Sequence, residues 1–172
     1  MDERGDPIVF NAVRLAEQQI DQAALNKEYQ PIDGSPDFKE VILELVFGDQ
    51  AKTIKERTAI AATIGGSGSI RLAGDLLTVC GVKTIALPNP SWSNHWGLLK
   101  NIPHLPSYPY YDIHNHAVNF TAMTAHLEGL PKGSFVLFHT CCHNPSGKDL
   151  TIEQWKHLIP IMKKNTLFPL FD

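Results

Sequence analysis

Short β-rich runs and helical segments alternate through the second half of the chain, and this alternation limits the fold more than any other feature. Runs rich in β-branched and aromatic residues occur at 82–88, 104–112, 134–139 and 166–172. Segments with helical spacing of apolar residues follow from Trp92, Asn119 and Thr151. Such alternation predicts an α/β fold with a mostly parallel sheet flanked by helices on both faces.

Ligands of parallel sheets bind outside the carboxyl ends of the strands. The residues that follow the predicted strands here are Asn89 to Asn94, His139 to Asn144, and Asp172. We therefore expect these residues to meet at one edge of the sheet and to contain the functional site.

A glycine-rich turn, Gly65-Gly66-Ser67-Gly68, precedes a helical stripe that runs to a stop at Gly81. The first N–H groups of a helix lack partners, and the helix dipole favours negative charge beside them. The turn therefore predicts either a phosphate-binding helix N-terminus or a plain tight turn, and the local pattern leaves both open.

The first half of the chain predicts two helices. The first spans 7–20, and a loop at 26–34 follows it. Ser35 as N-cap, Pro36 at the first helical position and Gly48 as terminator delimit the second.

Composition excludes several classes of protein. The 172 residues carry a net charge of −3 and 43% hydrophobic residues, values typical of a globular protein and not of a nucleic-acid or anionic-membrane binder. No apolar run is long enough to span a bilayer. Three cysteines, two of them adjacent, indicate a reducing compartment, so we expect a cytoplasmic protein.

The segment FHTCCHNPSG places Cys141 and Cys142 between two histidines. Structural zinc sites separate their cysteines by about two to four residues, and adjacent residues of an extended segment point to opposite faces. Adjacent cysteines also form a disulfide only with strain. We therefore predict no metal site, and we expect the cysteines to be small packing residues of the core.

Seven motifs, in order, resemble the aspartate aminotransferase family of class I, fold-type I enzymes that use pyridoxal 5′-phosphate. They are NKEYQPIDG, GGSGSIRLAGDLL, NPSWSNH, YPYYD, FHTCCHNPSG, EQWKHL and LFPLFD. The resemblance covers residues 7 to 172 and implies a chain truncated at both ends. Residues 1–34 would form an N-terminal helix and dimer-contact loop, and 35–172 part of the large, cofactor-binding domain.

The resemblance also implies roles for individual residues. Gly65, Gly66 and Ser67 would hold the cofactor phosphate. Trp92 would lie against the pyridine ring, and Asp172 would pair with its nitrogen.

Further roles concern the surroundings of the ring. His95 and His139 would orient Asp172. Asn144 would donate to the phenolic oxygen of the cofactor and, with Trp92, contact the substrate. Tyr29 would reach the phosphate of a neighbouring subunit in a homodimer.

The implied reaction is amino-group transfer between L-aspartate, or an aromatic amino acid, and 2-oxoglutarate. In the family the Schiff-base lysine comes from a later segment, so no catalytic residue is assigned and the chain alone is expected to be inactive. The alternative is a non-catalytic homologue or interaction module derived from an aminotransferase. A nucleotide-binding enzyme is disfavoured, since no lysine follows the glycine-rich turn.

Overall fold

The chain divides into two units, Met1–Ala61 and Ala62–Asp172, in the computed structural model, which describes all 172 residues. The first unit is helical, with α1 (Asn11–Gln22), α2 (Pro36–Phe47), a 3₁₀ turn (Gly48–Gln50), α3 (Ala51–Ile54) and a second 3₁₀ turn (Lys55–Arg57). The Ser35 hydroxyl accepts a hydrogen bond from the N–H of Phe38 at 3.2 Å, which confirms the predicted N-cap of α2. Sequence reasoning missed α3, which is too short to show a helical stripe.

The second unit contains the sheet and the helices that cover it. Its elements in chain order are α4 (Gly65–Val79), β1 (Ile85–Asn89), α5 (Asn94–Leu98), β2 (Ser107–Pro109), β3 (Tyr111–Asp112), β4 (Ala117–Val118), α6 (Phe120–Glu128), β5 (Phe135–Phe138), α7 (Ile152–Lys164) and β6 (Phe168–Phe171).

The main sheet has the strand order β2-β1-β5-β6, and every neighbouring pair is parallel. This confirms the predicted parallel α/β architecture. The predicted run at 104–112 is divided, because β2 ends at Pro109 and the chain then enters a small antiparallel pair formed by β3 and β4. Pro109 has no N–H, which β2 tolerates because it is an edge strand of the sheet.

The central strands β1 and β5 are largely buried, as the middle of a parallel sheet requires, whereas Phe168 and Phe171 of the edge strand β6 are exposed. Along β1, Ile85 and Leu87 lie in a core cluster with Ile70 of α4, whereas Ala86 belongs to a cluster that includes Met123 of α6. Successive residues of a strand point to opposite faces, so β1 is covered on both sides. Each fully buried apolar side chain of this kind contributes about 1.5–3 kcal/mol.

Two local features fix the helices that flank the site. A Cβ built on Gly74 of α4 would lie 3.0 Å from Cδ2 of Leu99, so α4 packs closely on the chain after α5 at this glycine. The α7 helix begins with a capping box, in which the Thr151 hydroxyl accepts from the N–H of Gln154 at 3.2 Å and the Gln154 side chain accepts from the N–H of Thr151 at 2.8 Å.

The cysteines are not core residues, so that prediction is wrong. Cys80, Cys141 and Cys142 are all exposed. The reason is that β5 ends at Phe138, which places Cys141 and Cys142 in a loop beyond the covered part of the sheet. None of the helices has both the length and the apolar character that crossing a membrane requires.

Candidate active site

The carboxyl ends of three adjacent parallel strands form the candidate site. Ser91 and Trp92 follow β1, His139 follows β5 and Asp172 follows β6. The backbone of Asp172 is fixed by the ladder, since its N–H donates to the carbonyl of Phe138 at 2.9 Å and its carbonyl accepts from Thr140 at 3.0 Å. The strand order therefore brings together side chains that are distant in the sequence. Ser91 and Asp172, for example, are 81 positions apart.

A row of hydrogen bonds connects these strand ends. Asp172 Oδ2 lies 2.6 Å from His95 Nε2, and Nδ1 of the same ring lies 2.8 Å from Ser91 Oγ. Ser91 Oγ is also 3.3 Å from His139 Nε2, and His139 Nδ1 accepts from the backbone N–H of Asn144 at 3.0 Å. One continuous row thus joins the loop after β5 to the carboxylate after β6.

The direction of each bond in this row follows from the Asn144 end. A peptide N–H can only donate, so Nδ1 of His139 accepts and the proton of the neutral ring lies on Nε2. That proton is donated to Ser91, whose hydroxyl donates in turn to Nδ1 of His95. The remaining proton of His95, on Nε2, is then donated to Asp172.

Burial, together with the nearby His95, lowers the pKa of His139 from its usual value of 6.5. This favours the neutral ring that the hydrogen-bond directions require. His95 itself is completely buried.

Trp92 and Asp172 meet at the same histidine. The Trp92 ring contacts the His95 ring edge to face, with 5.3 Å between centroids and 89° between planes. Trp92 is half-buried, and 29% of the Asp172 side chain is exposed. The second carboxylate oxygen of Asp172, Oδ1, makes no hydrogen bond, so it is free to accept one from a ligand beside the indole.

His143 lies in the loop between β5 and α7 and is buried there. Its ring is 1% exposed and stacks on Tyr110 at 3.9 Å between centroids, and its Nδ1 lies 2.7 Å from Ser146 Oγ. Its Nε2 is buried without a hydrogen-bond partner. Burial first, and then the nearby His139, lower the pKa of His143 to about 4, so the ring is neutral at neutral pH.

The N-terminus of α4 has the form of an anion cradle. Gly65 has a φ of 62°, and nothing lies within 4 Å of a Cβ placed on Gly65 or Gly66. The N–H of Gly65 donates to Thr63, but the N–H groups of Gly66 and Ser67 have no partner. Free N–H groups at the start of a 15-residue helix, in open space, provide what a phosphate group needs.

The structure thus joins five of the predicted site residues in one cluster. They are Trp92, His95, His139, Asn144 through its backbone, and Asp172. Gly65, Gly66 and Ser67 lie exposed at the start of α4, and Tyr29 is fully exposed in the first unit.

Sequence reasoning missed Ser91, which links the two histidines of the row. The signal was present, because Ser91 directly precedes Trp92 within the motif NPSWSNH. That motif identifies the neighbourhood of Ser91, but its hydrogen bonds to the two histidines are visible only in the structure.

Three ligand-type atoms of the cluster, from His95, His139 and Asp172, lie within 4.8 Å of one another. This separation is short enough for one cation. Two of these atoms already share the 2.6 Å hydrogen bond between His95 and Asp172, which a cation would have to replace.

Comparison with known proteins agrees with this geometry. Residues 2–172 match the family model described as aminotransferase class I and II. The chain is 40% identical over 175 residues to the mitochondrial aspartate aminotransferase of Dictyostelium discoideum, covering 99% of this chain and 41% of that protein. It is 39% identical over 174 residues to the aspartate aminotransferase of Escherichia coli K12, covering 99% and 44%.

Solved structures give the same result. An aromatic amino acid aminotransferase from Burkholderia cenocepacia superposes with a TM-score of 0.95 at 35% identity, covering 100% of this chain and 44% of that one. An aromatic-amino-acid aminotransferase from Burkholderia pseudomallei, covalently bound to pyridoxal phosphate, gives 0.94 at 35% identity with coverage of 100% and 44%. The chain spans less than half the length of these relatives. It belongs to the class I and II aminotransferase family.

Proposed function

We propose that this chain supplies the cofactor-binding surface of an aminotransferase that uses pyridoxal 5′-phosphate. The observation that carries the proposal is the contact of both Asp172 and Trp92 with the buried ring of His95. Both side chains therefore lie against one buried ring at the carboxyl ends of the strands, which supports a shared ligand position there.

The cluster at the strand ends and the N-terminus of α4 offer partners for the chemical groups of pyridoxal phosphate. Its phosphate would accept from the free N–H groups of Gly66 and Ser67. Its ring nitrogen, when protonated, would donate to Asp172. When bound, the cofactor supplies an electron sink that stabilises negative charge at the substrate Cα.

Within this chain, Asp172 would hold a proton on the ring nitrogen of the cofactor. A carboxylate favours the protonated form of a neighbouring base, and the hydrogen bond from His95 orients Asp172. The row through Ser91 and His139 limits rotation of His95, so the carboxylate is positioned by the fold before a ligand binds. Trp92 would provide a flat apolar face for the cofactor ring.

The hydrogen bonds and ion pairs of the cluster include no lysine side chain. We therefore expect the 172-residue chain to bind pyridoxal phosphate reversibly and without a covalent bond.

The proposal extends to substrate, assembly and compartment. The relatives are named as aspartate or aromatic-amino-acid aminotransferases, so we propose L-aspartate or an aromatic amino acid as amino donor and 2-oxoglutarate as acceptor. We also propose a cytoplasmic homodimer in which Tyr29 of one copy reaches the phosphate held by the other; the complete exposure of Tyr29 supports this. Sedimentation of the chain with and without cofactor, for wild type and Tyr29→Phe, tests the dimer.

Titration of the 172-residue chain with pyridoxal phosphate tests the cofactor site, with quenching of tryptophan fluorescence as the signal. Hydrogen bonds to charged groups contribute about 1.5–3 kcal/mol, so Asp172→Asn should weaken binding by about 10- to 100-fold. Pyridoxal without its phosphate should also bind more weakly than pyridoxal phosphate.

Asp75→Asn is the matched control, because Asp75 is a carboxylate of α4 that pairs with Arg71 on the surface. Its affinity for the cofactor should equal that of the wild type. Equal affinities for wild type and Asp172→Asn, with both chains folded by circular dichroism, would refute the assignment of Asp172.

A further inference from the structure

Cys141 and Cys142 lie side by side on the loop between β5 and α7, and the proposed function makes no use of them. Both are exposed. Cys142 has a φ of 53°, so the segment is not extended and its two side chains are not forced to opposite faces. The neighbouring thiol of Cys142 is the main cause that raises the pKa of Cys141.

The backbone on both sides of this pair is fixed. Asp149 accepts from the N–H of Cys142 at 2.8 Å and from the N–H of His143 at 2.9 Å. On the other side, the N–H of Thr140 donates to the carbonyl of Asp172 at 3.0 Å. The two thiols are therefore presented to solvent together by a loop that is held at each end.

A disulfide suits this pair poorly. The peptide bond between the cysteines is trans, and the Cα atoms across such a bond are about 3.8 Å apart, whereas an unstrained disulfide needs about 4.4–6.8 Å. A bridge with one more atom between the sulfurs removes this conflict. Trivalent arsenic provides such an atom, because it forms two bonds to sulfur and keeps its oxidation state.

We propose that Cys141 and Cys142 form a two-thiol site for trivalent arsenic compounds in which arsenic can form bonds to both sulfur atoms. With an arsenic oxide R–As=O, two As–S bonds form, the As=O bond breaks and the two thiol protons leave with the oxygen as water. No electrons are transferred, so no oxidant is needed. The raised pKa of Cys141 keeps its thiol protonated at neutral pH, which slows its reaction with oxidants.

The test uses phenylarsine oxide with the folded 172-residue chain, and intact-mass spectrometry counts the bound arsenic. Wild type should bind one equivalent that survives excess 2-mercaptoethanol and is released by a dithiol. Cys141→Ser and Cys142→Ser should each hold the reagent about 10²- to 10⁴-fold more weakly, because linking two binding events raises affinity by that range.

Cys80→Ser is the matched control, since Cys80 is exposed but has no cysteine beside it. It should retain one equivalent with the affinity of the wild type. The proposal fails if either loop variant binds as tightly as the wild type, if Cys80→Ser loses the bound equivalent, or if the wild type reacts only after denaturation. Because both loop cysteines are exposed, serine leaves the core intact, and the two single variants check each other.

Discussion

Acid should destabilise this protein through one buried histidine. His143 has a pKa of about 4 in the folded chain against a usual value of 6.5. Its neutral form is therefore favoured by folding, and the unfolded chain binds more protons than the folded chain between about pH 4 and 6.5. The stabilisation is complete above pH 6.5 and is lost as the pH falls toward 4.

The magnitude follows from the two pKa values. Each pKa unit corresponds to 1.36 kcal/mol, so lowering the pKa from 6.5 to about 4 makes the free energy of unfolding fall by about 3 kcal/mol across this interval. His139, whose pKa is also lowered, adds a fall of the same sign. Asp149 does not contribute to this fall. Its pKa is lowered from the usual value of 3.8, so the stability it provides is lost only as the pH falls below about 3.8.

Urea unfolding followed by tryptophan fluorescence, at several values between about pH 4 and 7, measures this effect. His143→Gln cannot gain a proton, so its free energy of unfolding should change with pH by about 3 kcal/mol less than that of the wild type. It should also be lower at pH 7 by about 0.5–1.5 kcal/mol, because the stacking on Tyr110 is lost. His104→Gln, at an exposed histidine, is the control and should follow the wild type. The same slope for His143→Gln and wild type would refute the assignment.

Two further changes test the packing and the helix start. Gly74→Ala should lower the free energy of unfolding by about 1–3 kcal/mol, because the new Cβ would meet Leu99 at 3.0 Å. Gly97→Ala is the control, since nothing lies within 4 Å of its Cβ, and its free energy of unfolding should be equal to or higher than that of the wild type. Thermal unfolding compares the two variants. Equal effects would contradict the close approach. Thr151→Ala should cost about 1 kcal/mol by removing the cap of α7, whereas Thr151→Ser should retain it, as urea unfolding can measure.

Sequence patterns were sufficient for the parallel sheet and its flanking helices, because period and turn residues are local properties. The N-cap at Ser35 and the start of α7 at Thr151 are predicted for the same reason, since a cap involves only residues three positions apart. The strand ends that carry Trp92 and Asp172 followed from the general rule for parallel sheets.

Contacts between distant segments could not be predicted in the same way. Ser91 joins His139 across 48 positions, and no local pattern encodes that distance. The exposure of the adjacent cysteines depended on where β5 ends, and the φ of Cys142 depends on the turn that Asp149 holds together. Each of these is decided by the three-dimensional course of the loop after β5.

The peptide group of Asn144 gives the row of hydrogen bonds at the site a polarity. Because this group has no lone pair to offer on nitrogen, the reversed arrangement of protons would leave two donors facing each other, and only one ordering of the hydrogens satisfies the row while both rings are neutral. Proton disorder is thereby removed from the resting protein. Under the proposed function, a cofactor arriving at Asp172 would meet hydrogen-bond donors and acceptors that are already ordered.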